Sequence, residues 1–259
     1  MKELSRKIVH VAQTDSTNDH IRRLPADECA DITVVWADHQ TAGRGQGTNR
    51  WESEAGRNLL FSLRVHPCWM PVERQFLLSM AEALALKDVL EGYTGGISLK
   101  WPNDIYWQNR KMGGTLIETS LGSGGLKDCI FGTGLNLNQR EFRSDAPNPV
   151  SLCQVIGREV DVETVLHQIV NAFIPYYNRL RNGGYGDISE AYHAALWRRE
   201  GFWKYRDAEG VFDAAIVGVE DDGHLVLRDT ACRFRRYAFK EVQVVMDEDN
   251  ETGNHIKQI

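Results

Sequence analysis

Lys100-Trp101-Pro102-Asn103-Asp104 sets a cation, a proline-fixed bend and an amide–carboxylate pair side by side, and Lys111 follows after a short polar turn. Lysines flanking one bend can offset negative charge on two reactants as they meet, which is electrostatic stabilisation of a developing transition state. Far upstream, Gly43-Arg44-Gly45-Gln46-Gly47 alternates glycine with polar side chains. Bare backbone can approach a ligand there and present N–H groups to an anion. The Arg44 guanidinium adds a planar fork suited to a carboxylate or a phosphate. Together the segments describe a site that joins a carboxylate to a nucleotide phosphate. Each also has a plainer reading: a hairpin with a solvated lysine at either end, and a polar surface loop.

The glycine loop matches neither common phosphate cradle. No Gly-Lys-Ser/Thr follows it, as a Walker A loop requires, and no helical pattern follows it, as a dinucleotide fingerprint requires. A later cluster, Gly132-Thr133-Gly134-Leu135-Asn136-Leu137-Asn138, leaves room for a flat ligand with amides to read its edge. A tightly packed buried strand would look the same. Ser16-Thr17-Asn18 is accounted for by helix capping alone.

The elements that must position these residues are legible from periodicity. Ile8–Ala12, Ile32–Ala37 and Leu59–Val65 read as strands, with a long polar connection over 38–57 that is too long for an ordinary turn. Pro71 opens a helix whose apolar positions are Phe76, Leu77, Met80, Leu84 and Leu90. Ser98–Trp101, Ile105–Trp107, Gly114–Thr119 and Ile130–Asn138 read as successive strands, so the sheet is substantially antiparallel. Helices follow over Ser151–Ile156, Val162–Arg181 and Ile188–Leu196. From Trp203 the character changes to short strands, Val211–Val219, Leu225–Arg228 and Arg236–Val245, with an Asp222-Gly223 turn.

Composition bounds the rest. At 259 residues, 42% hydrophobic and 25% charged, the chain has the make-up of a soluble globular protein. A net charge of −6 argues against broad nucleic-acid binding, so basic groups must act locally, in a pocket. Five cysteines without C-x-x-C spacing read as reduced thiols, not as a disulfide frame or zinc site. No signal peptide or membrane-length run is present, which makes cytoplasmic the expectation, with no membrane partner.

Read in order, DSTN, QTAGRGQGTNRWESEAGRNLLFSL, KWPNDIYWQNRKMGGTLIE and GTGLNLN resemble the biotin protein ligases over about residues 14–138. The resemblance implies an α+β fold of the class II aminoacyl-tRNA synthetase/biotin ligase type, with a mixed, largely antiparallel sheet flanked by helices. It implies a catalytic domain over 1–198 and a small SH3-like β-barrel over 199–246, while the acidic, polar composition of 247–259 reads as a disordered tail. The implied activity is that of an ATP-dependent ligase. Biotin is activated to biotinyl-5'-AMP with release of pyrophosphate, then passed to a lysine of a biotin carboxyl carrier protein.

On this pattern Ser16, Thr17, Asn18 and Gln40 would hold biotin's ureido ring, whose donors and acceptor suit hydroxyl and amide partners. Gly43, Arg44, Gly45 and Gln46 would cover the valerate tail and phosphate, with Gly114 nearby. Lys111 and Arg44 are the catalytic candidates. Arg44, Trp51, Lys100, Asn103, Asp104, Lys111 and Asn136 would meet ATP. Magnesium is expected, although no ligand set for it is legible. One departure is Gln46, where many members carry arginine. A lipoate or octanoate ligase of the same fold would need an apolar slot, against which Ser16-Thr17-Asn18 and Gln40 speak; a catalytically silent ligand- or carrier-binding module is the third reading. Because the first motif begins at Asp15, no N-terminal DNA-binding domain is expected; dimers occur in the family, so a monomer or a homodimer is the expectation.

Overall fold

Strand β3 (Leu59–Val65) is buried along its whole length: Leu59, Phe61, Leu63 and Val65 face one way and Leu60, Ser62 and Arg64 the other. Burial on both faces marks the centre of a covered sheet. In the structure, a computed structural model describing residues 4–25, 29–47, 49–122, 124–143 and 148–246, that sheet has seven strands. They are β1 (Arg6–Thr14), β2 (Ile32–Gln40), β3, β4 (Ile97–Lys100), β5 (Asp104–Trp107), β6 (Arg110–Gly122) and β7 (Gly125–Leu135). Their spatial order is β1-β2-β3-β7-β6-β5-β4, with β1–β2 parallel and the other pairs antiparallel. Thr48 of the glycine loop and the tail over 247–259 lie outside the described residues.

Directly opposed residues of an antiparallel pair share a face. Phe61, Phe131 and Leu135 therefore join Leu63 and Val34 against helices α2 (Phe76–Glu91) and α4 (Val162–Arg181) in the main core. The opposite face carries Ser62, Gly132, Gly134 and Gly114, and is covered at one end by α1 (Thr17–Arg23), whose Ile21 packs on Val35 and Ile130. Helix α3 (Leu152–Ile156) starts in a capping box, Ser151 with Gln154, and α4 starts on Asp161, whose carboxylate accepts from Thr164 N at 2.7 Å. Pro71 does not open α2 directly. A 3-10 turn over Val72–Arg74 intervenes and the helix starts at Phe76.

After α5 (Tyr185–Ala194) a second sheet is built from β8 (Trp203–Asp207), β9 (Gly210–Val219), β10 (Leu225–Asp229), β11 (Phe234–Tyr237) and β12 (Gln243–Val244). Strand β8 has no counterpart in the sequence reading. The expected SH3-like barrel is an open sheet of five antiparallel strands, ordered β11-β10-β9-β8-β12, with β11 and β12 at opposite edges. The single strand expected over Arg236–Val245 is broken by a turn in which Lys240 has φ 72°, and β12 keeps just two paired residues. Those interrupted residues cannot supply the ladder that closure needs. The sheet docks through its 221–223 turn. Asp221 O accepts from Phe76 N at 3.1 Å, and Gly223 O accepts from the Trp101 indole at 2.9 Å. No described helix is long and apolar enough to cross a membrane.

One charged side chain sits inside the main core. Glu82 of α2 is 2% exposed and is held by the Thr133 hydroxyl at 2.7 Å and the Thr115 hydroxyl at 3.2 Å, all behind the glycine face. Burial pushes its carboxyl up to about 7, the threonine hydrogen bonds opposing. Folded Glu82 thus holds its proton more tightly than the unfolded chain does. Its contribution to stability is fully present below about pH 4.5 and is lost as pH rises through about 7. We expect Glu82→Gln to stabilise the protein at pH 8 relative to pH 5 by up to about 3 kcal/mol more than the parent gains over the same interval. Denaturant titrations at both pH values check this; parallel pH profiles for the two proteins would rule it out.

Candidate active site

A cleft of about 1050 Å³ opens on the glycine-bearing face, walled on one side by α1 and the 40–52 loop and on the other by the C-terminal sheet. At its inner end Gln40 Oε1 accepts from Thr17 N at 2.7 Å and from the Thr17 hydroxyl at 3.1 Å. Ser16, Thr17 and Asn18 are all buried. Ser16 occupies the N-cap of α1 but makes no side-chain cap bond, so capping does not explain this trio. Asn18 instead donates to Glu118 Oε2 at 2.5 Å and accepts from Ser62 Oγ at 2.5 Å. Ser62 also lies 2.8 Å from the Thr17 hydroxyl. This network fixes amide and hydroxyl groups with donor and acceptor capacity to spare, the surface a small polar ring would need.

Absent side chains make the wall. A Cβ on Gly132 would stand 2.1 Å from Asn18 Oδ1, and one on Gly134 would stand 2.3 Å from the Trp51 ring. Asn18 and Trp51 therefore lie directly on the peptide planes of β7. The buried Trp51 Nε1–H has no acceptor among the described residues. Asn136, which holds Val150 O at 3.3 Å, closes this end of the wall.

The cations come from two directions. Between β5 and β6 the register slips, Ile105 facing Gly113 while Tyr106 faces Lys111, so Met112 is an extra residue. Such a bulge re-aims the side chains beyond it: Met112 goes to the core and Lys111 to the cleft, where its Nζ meets Asp104 Oδ1 at 2.5 Å. Lys100 reaches the same region and donates to Tyr106 Oη at 3.0 Å. Burial holds the Lys100 ammonium below its ordinary range, against the pull of Asp104, with the Arg198 guanidinium adding to the depression. Asn103 closes the turn, donating to Thr115 O at 2.5 Å. From the other side Arg44 pairs with Asp19 at 2.9 Å and lies 3.7 Å from Glu118. Burial pushes the Glu118 carboxyl up, but hydrogen bonds from Arg22 and Asn18 outweigh it and leave it below the ordinary range.

Every residue given a role on the family pattern lines this one cleft except Gly43, whose carbonyl accepts from Trp51 N at 3.1 Å and whose role is to shape the loop; Asn138, the second amide of the glycine–asparagine cluster, lies elsewhere and donates to Val160 O at 2.8 Å. Gly45 and Gln46 lie on the rim with Arg44, and Gly114 lies beneath Lys111 and Asp104. Sequence reading missed Ser62, Glu118 and the whole contribution of the C-terminal sheet, which brings Tyr205, Phe239 and Lys240 to the cleft. Ser62 had one detectable signal: it is the lone hydroxyl in an apolar strand run.

A model of the Biotin/lipoate A/B protein ligase family matches residues 10–136. The biotin–[acetyl-CoA-carboxylase] ligase of Paracoccus denitrificans is 31% identical over 237 residues, 86% of this chain and 95% of that protein. The bifunctional ligase/repressor BirA of Bacillus spizizenii is 28% identical over 86% of this chain and 70% of that protein. Among solved structures, the biotin protein ligase from Aquifex aeolicus in complex with biotin and ATP superposes with TM-score 0.77 at 24% identity, covering 92% of this chain and 98% of that one.

The bare wall yields a stability test. Gly132→Ala must push Asn18 off Ser62, and overpacking of this kind costs about 1–3 kcal/mol. Gly124→Ala, with nothing within 4 Å of the new methyl, is the control. Thermal unfolding should drop for the first and hold for the second; equal midpoints would show that Asn18 is not seated as described.

Proposed function

The chain belongs to the biotin/lipoate A/B protein ligase family, and within it to the biotin protein ligases; from that premise we propose which residues carry each step. It is an ATP-dependent ligase that attaches biotin to protein. The observation that carries the residue assignment is the meeting, in one cleft, of Arg44, Lys100 and Lys111 with the Thr17–Gln40–Asn18 network.

Biotin's ureido ring sits at the inner end, against Ser16, Thr17, Asn18 and Gln40. Its carboxylate then points toward Lys111, Arg44 and Gly114. ATP lies over Trp51 and Asn136 with its phosphates at Lys100, Asn103 and Asp104. Two anions must approach, and the barrier falls mainly through positioning and charge compensation. A carboxylate oxygen attacks the α-phosphorus, the bond to the β-phosphate oxygen breaks, and pyrophosphate leaves. Lys111 can exchange Asp104 for the incoming anion without moving far, because it already sits at the cleft wall. In the second step a neutral lysine amine of the acceptor, which we take to be a biotin carboxyl carrier protein, attacks the acyl carbon. An amide forms, AMP departs, and the amine loses its proton. Ordering of the 43–50 loop over the anhydride would keep water out.

Magnesium arrives with the nucleotide as part of the substrate. This fits the donor set: Mg²⁺ commonly takes one or two protein carboxylates plus phosphate oxygens and waters, and Asp104 is the carboxylate beside the lysines. The described cluster of three possible ligands, Glu220, Asp222 and His224, does not line the cleft, and Arg236 already binds two of its carboxylates at 2.7 and 2.6 Å.

ATP–pyrophosphate exchange is the direct test. Biotin should support exchange and lipoate or octanoate should not; exchange with lipoate alone would turn the reading to a lipoate ligase. Lys111→Ala and Arg44→Ala should each cost about 10- to 150-fold in kcat/KM, the worth of one charge-assisted hydrogen bond. Turnover near that of the parent in a folded Lys111→Ala protein would remove that residue from the mechanism.

A further inference from the structure

The C-terminal sheet closes one side of the cleft, and the turn between β11 and β12 presents Lys240 there. Three features of this residue stand apart from ordinary surface lysines. Its backbone is left-handed, φ 72°, a conformation that glycine adopts freely and that strains a lysine. Its ammonium reaches over the glycine loop, where a Cβ on Gly47 would lie 2.5 Å from Lys240 Nζ. Finally, it makes no ion pair among the described residues, whereas Arg44 and Lys111 on the same cleft are each held by a carboxylate.

The loop it faces brings little charge of its own. Between Arg44 and Arg50 the chain carries no ionisable side chain. The turn is also fixed in place relative to the lysine-bearing motif: Phe239 packs edge-on against Trp101 at 6.4 Å, and the Trp101 indole is tied to Gly223 of the same sheet. Beside it Tyr205, 1% exposed and with its hydroxyl lacking a partner among the described residues, also lines the cleft. A cation without an ion pair and a hydroxyl without a hydrogen bond among the described residues both border the space where a nucleotide would lie.

We propose that Lys240 is a polyphosphate-binding residue that the C-terminal sheet contributes to the adenylation step. It meets the β- and γ-phosphates of ATP, and pyrophosphate as it departs, and it sets a cation beside the uncharged Gly45-Gln46-Gly47 stretch. This rests on the ligase reading above.

The test is biotin-dependent ATP–pyrophosphate exchange by the full chain carrying Lys240→Ala, Lys240→Gly or Lys240→Arg, with thermal unfolding of each. The Ala and Gly variants should raise KM for ATP and for pyrophosphate about tenfold, as expected for a lost phosphate contact, while KM for biotin stays within about twofold. The Arg variant should keep most of the affinity, and the Gly variant should unfold no earlier than the parent because its backbone strain is gone. Transfer from preformed biotinyl-AMP to the carrier should be unchanged. Unaltered KM for ATP and pyrophosphate in both Ala and Gly variants overturns the proposal. So does a rise confined to KM for the carrier, which would make Lys240 a docking residue. Absence of exchange in the parent protein would instead remove the ligase reading on which the proposal stands.

Discussion

The site depends on one sheet having two unlike faces. Along β7 the residues Phe131, Thr133 and Leu135 point into the packed layer beneath α2 and α4, while Gly132 and Gly134, between them, leave the other side as naked peptide. The apolar half anchors the strand; the glycine half lets Asn18 and Trp51 lie on its backbone. Strands gain little stability from interior glycine, so the cost of the bare wall must be met by the packed face behind it. Binding surface and core are in this sense one object viewed from two sides.

Charge is arranged with the same economy. Three cations of the cleft are restrained before any ligand comes: Lys111 by Asp104, Arg44 by Asp19, Lys100 by the Tyr106 hydroxyl and ring. Restrained cations keep a defined geometry and avoid mutual repulsion, and an entering carboxylate or phosphate exchanges one negative partner for another. Such preorganisation is the feature that makes electrostatic stabilisation effective, because the dipoles and charges do not have to reorganise as the reaction proceeds.

Much of this was readable from the chain. The limits of β3 and α4 follow from periodicity and caps, as does the antiparallel run β4 to β7, and the motif residues do converge. What escaped was set by tertiary geometry. Strict alternation counted back from Gly114 would have sent Lys111 into the core; the extra residue Met112 reverses that, and nothing in the local sequence announces a bulge. Ser62 acts through Thr17, 45 positions away, and the Trp101 indole through Gly223, 122 positions away, separations that no window detects. The barrel expectation failed for a related reason. Short alternating strands look alike whether their edges meet or not, and here the turn at Lys240 uses up the residues that would have joined them.

The hairpin tip at 221–223 has a consequence for how such enzymes can be recombined. Its carbonyls accept from Phe76 at the mouth of α2 and from Trp101 inside the lysine-bearing motif. A C-terminal sheet grafted from another protein would have to reproduce that tip in shape and register, or the tryptophan would be left with an unsatisfied donor beside the chemistry. The appendage is thus not an interchangeable cassette: its boundary runs through the lysine-bearing motif itself.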